Sequence, residues 1–414
     1  MHKLLMLCCV VLGHYASAQQ QPDSIRLTLG QAEEIFIKKN LFLLSMKYQV
    51  DAAKANEIQQ KLYDNPTLST ELSVWGSNNK WFDIGNKGQK TIGIDQLIIL
   101  AGKRNKRVNL AKEQTHEASI ALLEVLRGLK YELSSSFHTI SAANELTKTY
   151  DGQLEMLQRI INAYQEQSGK RNVSLKDVIR LRTEYIQLSA DRNAVIMEAI
   201  AARQTLQLLL DTSAVIIPVK ENIVYNSLPV AADLVQKALS NRPDMQLEQS
   251  RLKQEQLNYN LQKALAKPDI TIGAAYDQRG SYVDNLYSVR AAIDLPFFNR
   301  NQGNIKSAKA MIQSAETVVK YREKQVESEV FASLSRLKEA DKEYNELQKS
   351  FNKDFPLVNQ LVIENFNKGN ISILEFLDFF ENYNLAVQQL NQLEKQWRIA
   401  WEDIEYTIGE KLKK

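Results

Sequence analysis

Lys103–Ser168 reads KRNKRVNLAKEQTHEASIALLEVLRGLKYELSSSFHTISAANELTKTYDGQLEMLQRIINAYQEQS, with no proline and a composition that favours helix nearly throughout. At 1.5 Å per residue a continuous helix of this length reaches roughly 100 Å. Helices of globular domains seldom exceed about 20 residues, so a long coiled-coil-like element is predicted. The spacing agrees, because Tyr150, Leu154, Leu157, Ile161 and Tyr164 step alternately by four and three residues. Beyond a short turn a second seam follows through Leu175, Val178, Tyr185, Leu188, Val195, Ala199, Ala202, Leu206 and Leu209.

The plan recurs about 200 residues later. Each half is predicted to run helix, strand, loop, strand, very long helix, tight turn and long helix. Asn65-Pro66-Thr67-Leu68 finds its counterpart in Lys267-Pro268-Asp269-Ile270, and Ile94-Asp95 in Ile293-Asp294. Tyr164 leads through Gly169 to Val173-Ser174-Leu175, as Phe366 leads through Gly369 to Ile371-Ser372-Ile373. The second long helix is expected from about Asn304 to Lys368, with a bend at Pro356, because proline removes a backbone hydrogen bond. The final helix closes on Trp397, Trp401, Ile404 and Ile408. The division is a first repeat over 19–212, a linker over 213–229 and a second repeat over 230–414.

Four segments alternate as strands do: Pro66–Gly76, Lys90–Leu100, Pro268–Asp277 and Ser288–Pro296. Leu68, Thr70, Leu72 and Val74 oppose Thr67, Ser69, Glu71 and Ser73, while Val289, Ala291, Ile293 and Leu295 oppose Ser288, Arg290, Ala292 and Asp294. Apolar-out, polar-in alternation over about 10 residues suits a membrane barrel with a wet lumen; an ordinary half-buried sheet alternates in the same way. Trp75, Trp81, Tyr276, Tyr282 and Tyr287 cluster at the strand ends, as in an aromatic girdle. Four strands cannot close a barrel, and open edges in lipid leave backbone groups unpaired. Two copies give eight strands with a filled interior, and three give twelve with room for a lumen.

The N-terminus carries a separate signal. His2 and Lys3 precede the apolar run Leu4–Leu12, and Ala16-Ser17-Ala18 is an A-x-A cleavage site, so 1–18 is read as a cleaved secretory peptide. Both cysteines, Cys8 and Cys9, lie inside it, and Met6-Leu7 makes a poor lipobox, so neither a disulfide nor a lipid anchor is expected. No later stretch approaches 18 apolar residues. A net charge of +3 with interspersed signs gives no nucleic-acid footprint. No nucleophile–base grouping or phosphate loop argues for an enzyme. His116 and His138 are read as helix-packing residues, with no metal site and no cofactor expected.

Several short motifs, in order, resemble the TolC family of outer-membrane efflux proteins, over essentially the whole mature length. Leu27-Thr28-Leu29 with Gln31-Ala32 resembles the family's opening helix, and Asn241-Arg242-Pro243-Asp244 the start of its second repeat. Leu295-Pro296-Phe297-Phe298-Asn299-Arg300-Asn301-Gln302-Gly303 resembles the second strand-to-helix junction, and Gly102-Lys103-Arg104 the first. These junctions and Pro356 are most similar to the heavy-metal efflux branch. The fold class this implies is an α+β membrane protein, internally duplicated, assembling as a homotrimer with a 12-stranded β-barrel continued by a 12-helix α-barrel. The implied function is a passive exit duct in the outer membrane for metal ions or small toxic compounds. Its implied partners are a periplasmic adaptor (membrane fusion) protein, an inner-membrane pump of the resistance–nodulation–division type and outer-membrane lipid. The same fold also serves as the outlet of type I protein secretion, and a periplasmic coiled-coil scaffold without a membrane part is the third reading.

The resemblance also places candidate sites. Gly169, Lys170, Ser174, Gly369, Asn370 and Ser372 would form the tips that meet the adaptor, with Gly169 and Gly369 at positive φ and Ser174 and Ser372 as N-caps. The first tip is expected to carry roughly four extra residues. Asp177, Glu375 and Asp378 would ring the narrowest aperture, although such acids equally complement a helix N-terminus. Arg180 stands where Asp378 has its counterpart, which would either weaken that ring or hold the aperture shut by pairing. Lys103, Arg104, Lys106 and Arg107 fall at a junction where lipid contact and a solvated helix start are both consistent with the sequence.

Overall fold

The computed structural model describes residues 24–75, 81–83, 85–86, 88–221, 230–279 and 283–412, the side chains of 350–354 and 356 excepted. The expected signal peptide, Tyr282 and the end of the expected linker lie outside these residues. The order is β1 (Ser24–Leu27), α1 (Leu29–Lys39), α2 (Leu41–Lys61), β2 (Thr67–Leu72), β3 (Lys90–Ile98), α3 (Lys103–Gly169), α4 (Leu175–Leu210), β4 (Val215–Pro218), α5 (Ala231–Asn241), α6 (Pro243–Leu265), β5 (Ile270–Arg279), β6 (Asp284–Ile293), α7 (Gln302–Asn367) and α8 (Ile373–Ile408). Two helices, two strands and two long helices thus occur twice. The helix α7 runs through position 356 without a break in its assignment.

Each opening helix of the sequence reading is in fact a pair. In the first repeat Asn40 makes the corner: its N–H donates to Phe36 O, its Nδ2 to Leu209 O at 3.0 Å, and its Oδ1 accepts from Leu43 N at 2.9 Å. One buried side chain therefore satisfies groups left open where one helix ends and the next begins. In the second repeat Pro243 opens α6 at a position that needs no N–H. Asn241-Arg242-Pro243-Asp244 is thus a corner inside the repeat, not its start. The linker also holds structure, because β4 pairs in parallel with β1, from Ser24↔Val215 to Leu27↔Pro218. Four residues with no amphipathic period gave no signal for that pairing.

The chain divides into two compact units. The first takes Met1–Leu44, Leu126–Leu234 and Glu329–Lys414. Its core follows the predicted seams: Leu157, Ile161, Leu181 and Leu188 are buried with Phe366, Phe376 and Phe380, and Trp397, Trp401, Ile404 and Ile408 are buried on α8. Leu175 departs from its seam and is 66% exposed, since it opens α4 beyond the packed region.

The second unit takes Ser45–Val125 and Val235–Ser328 and contains a four-stranded antiparallel sheet in the order β2-β3-β5-β6. Register aligns Leu68, Ile94, Ala274 and Val289 across one face, and Ser69, Gly93, Ala275 and Ser288 across the other. The apolar face is uncovered: Leu68 is 74% and Val289 83% exposed. On the polar face Arg290 donates from Nε to Asp95 Oδ1 at 2.7 Å, reaching across Gly273. A Cβ at Gly273 would collide with that carboxylate, so glycine there is a condition of the ion pair. All four strands overlap the expected segments but with shifted ends: β2 stops at Leu72, β3 at Ile98, β5 continues to Arg279, and β6 runs from Asp284 to Ile293 rather than from Ser288 to Pro296.

Candidate functional site at the helical turns

Both candidate tips lie in the first unit. The turn after α7 is as expected: Gly369 has φ +75°, and Asn370 N–H donates back to Asn365 O while Gly369 N–H donates to Phe366 O. These two bonds close the helix in the Schellman manner. The turn after α3 differs. Gly169 is still helical, and Arg171, at φ 63°, takes the left-handed position, with Asn172 N–H donating to Gln167 O and Arg171 N–H to Ser168 O. The positive φ assigned to Gly169 therefore belongs to Arg171.

That shift removes the expected length difference between the tips. Arg171-Asn172-Val173-Ser174 superposes in role on Gly369-Asn370-Ile371-Ser372, and each asparagine side chain bonds the residue five before it: Asn172 to Gln167 Oε1 at 2.8 Å and Asn370 to Asn365 Oδ1 at 3.0 Å. The extra residues are absorbed into the helical part of α3. Sequence spacing suggested a longer loop because Gly169 invited a left-handed assignment that Arg171 in fact adopts, at about 1–2 kcal/mol of steric cost.

Ser174 and Ser372 are N-caps. Ser174 Oγ accepts from Lys176 N at 3.2 Å, and Ser372 Oγ from Glu375 N at 3.2 Å. Lys170 Nζ is held by Glu166 at 2.6 Å. The three candidate carboxylates have different surroundings. Glu375 returns to Ser372 N–H at 2.8 Å, completing a capping box, and these hydrogen bonds from Ser372 hold its carboxyl below the usual range. Asp177 lies 3.5 Å from Arg180 on the same helix. Asp378 is exposed; its backbone carbonyl accepts from Asn382 Nδ2 at 2.7 Å, and among the described residues no cation pairs with its carboxylate.

Sequence reading missed three features of this unit. Tyr164, Phe366, Phe376 and Phe380 form a ring ladder with successive centroids 5.7, 4.1 and 5.7 Å apart, which ties both turns to one core. The i,i+4 pair Phe376/Phe380 was its available signal. Glu184 on α4 is pushed up by burial and then by the neighbouring charges of Glu381 and Asp191. A cavity of about 710 Å³ opens among Gly152, Gln153, Met156, Asn359, Phe380 and Tyr383.

The remaining candidates divide. Lys103 is buried, at 3% exposure, with Nζ 2.7 Å from Asp269 and 2.6 Å from Lys267 O. It is a structural bolt and is withdrawn from the basic group read as lipid-facing or solvated. His138 packs as expected, buried 3.5 Å from Glu402, whereas His116 is exposed. Among the described residues no group of three His, Cys, Asp or Glu is placed to hold a metal ion, and no helix is long and apolar enough to cross a membrane.

Residues 234–410 match the family described as outer membrane efflux protein. The chain is 26% identical over 284 residues to the cobalt-zinc-cadmium resistance protein CzcC of Cupriavidus metallidurans, covering 68% of this chain and just under two thirds, 66%, of that one. Its fold is similar to that of CusC (TM-score 0.74, 16% identity, 96% of this chain and 95% of that one). It is also similar to the Campylobacter jejuni CmeC outer membrane channel (TM-score 0.77, 14% identity, 92% and 85%). The family is one of efflux channel proteins, not of enzymes.

Proposed function

We propose that the chain is the outer-membrane channel subunit of a tripartite efflux system and assembles as a homotrimer. The uncovered sheet carries this reading. β2 and β6 each have one neighbour, so two edges of backbone donors and acceptors await strands. Closing three such sheets edge to edge makes twelve strands, wide enough for a lumen. Ile94 and Val289 then face lipid, while Ser69, Asp95 and Arg290 face water. Three sets of four long helices continue the duct into the periplasm. Cargo passes down its gradient once an inner-membrane pump has loaded it.

The turns at Arg171–Ser174 and Gly369–Ser372 are the adaptor-docking tips, with Lys170 and Asn370 presented at their surface. Both are rigid, capped reversals of one geometry, which suits hairpins of a single adaptor type. Of the aperture carboxylates, Asp378 carries the open negative charge. Asp177 is moderated by Arg180, and Glu375 is occupied by its cap. Kinship with CzcC favours divalent transition-metal ions as cargo; selection among them falls to the pump.

Planar-bilayer recording tests the reading. The purified oligomer should give discrete cation-preferring channels, and Asp378→Asn should reduce cation preference about twofold or more by removing three focused charges. Unchanged selectivity removes Asp378 from the aperture. Absence of any channel from a detergent-solubilised oligomer removes the duct. In cells, loss of the gene should raise sensitivity to zinc, cobalt or cadmium.

A further inference from the structure

Where β3 gives way to α3, the second unit holds a cavity of about 400 Å³ that the duct itself does not use. Its walls include Tyr63, Leu97, Ile98, Ile99, Arg104 and Asn105. Ile98 shares the strand face of Ile92 and Ile94, so one wall continues the exposed apolar face of the sheet. The opposite wall is cationic. Arg104 stacks its guanidinium 4.0 Å over the Tyr63 ring and donates from Nη1 to Lys61 O at 3.1 Å. Those contacts fix the fork while leaving donors unused, and among the described residues no carboxylate pairs with Arg104. Gln96 closes the floor by donating to Asp64 O at 2.9 Å and Leu97 O at 3.0 Å. Lys106 is folded back onto Ala101 O at 3.0 Å, beside Gly102 of the lining.

We propose that this cavity is a phospholipid site: Arg104 and Asn105 hold the phosphodiester of a glycerophospholipid, and an acyl chain runs along Ile98 onto the apolar sheet face. The assignment rests on the outer-membrane reading above. An anchored, unpaired guanidinium is suited to a phosphate's planar pair of acceptors. Its position at the end of the apolar band is the depth at which headgroups lie. Free inorganic phosphate would use only the cationic wall and leave the apolar wall wet, so the lipid is the occupant the shape favours.

Native mass spectrometry of the full-length oligomer in a mild maltoside detergent, titrated with phosphatidylglycerol, diacylglycerol or inorganic phosphate, tests the site. Wild type should retain phosphatidylglycerol at up to one per chain and not retain diacylglycerol. Arg104→Gln should lower retention about tenfold, the loss of one charge-assisted contact. Asn105→Asp should do the same by setting an anion against the phosphate. It also suits the first turn of a helix, so it folds even where the arginine change fails. Lys338→Gln, on an exposed helical face elsewhere, should change nothing. Equal retention by wild type, R104Q and N105D, or equal retention of diacylglycerol, overturns the site alone. So does competition by millimolar phosphate that strips the lipid completely. A wild-type chain extracted without detergent overturns the channel reading itself, and the site with it.

Discussion

At the scale of single residues, the two turns show how one backbone geometry is reached with different side chains. Gly369 occupies the left-handed position without steric cost, whereas Arg171 occupies it against its own Cβ. Arg171→Gly should therefore stabilise the first turn by about 1 kcal/mol, and Gly369→Ala should destabilise the second by a similar amount. Hydrogen exchange at the amides of 172 and 370 reads both. Glu184 offers a pH-dependent case. Its carboxyl is raised, so its ionised form costs stability above that raised value, and the cost disappears once pH falls below the ordinary glutamate value of 4.5. Glu184→Gln should raise the thermal midpoint at pH 7 and leave it unchanged at about pH 4. A gain that persists in acid would assign the effect to packing rather than charge.

At the scale of elements, the seam positions decide where the long helices touch. The four-three steps through Tyr150, Leu157 and Ile161 were legible because a helix presents those residues on one face. The ladder of Tyr164, Phe366, Phe376 and Phe380 was not, because it draws on α3, α7 and α8 together and no single helix carries its pattern. Phe376 is fully buried within it. Phe376→Ala should cost about 3–5 kcal/mol and loosen both turns at once, since they share this core. Limited proteolysis within 168–174 and 367–372 gives the readout, and cleavage confined to the second turn would show the cores to be independent. The corners at Asn40 and Arg242-Pro243 were missed for a similar reason. A proline at the first helical position reads equally as a start or as a corner until its neighbours are placed.

At the scale of the whole molecule, the proposed channel would cover the sheet's open edges with further copies and its exposed apolar face with lipid. On that reading the oligomer should resist SDS at room temperature and dissociate on boiling. Electrophoresis with and without heating checks this. Gly273→Val, which displaces Asp95 from Arg290, should abolish the SDS-resistant band while leaving the helical circular dichroism largely intact. Survival of that band would show that the ion pair does not help to fix the sheet.

Much was written in local pattern: the strand alternation, the helical seams and the serine caps each depend on residues within a few positions of one another, and the duplication is the recurrence of those local patterns about 200 residues on. Periodicity and cap chemistry are properties of a single turn or strand, so they survive without knowledge of the fold. What only the tertiary structure decided depends on residues distant in the chain. Asp269 claimed Lys103 and left Arg104 open. Glu375 turned back to its cap, while Asp378 kept its charge exposed. Arg171 rather than Gly169 reversed the chain, because the helical bonds of α3 run through position 169 and the reversal falls to the next residues beyond it. Composition sets which groups are available, and packing sets which partner each group meets.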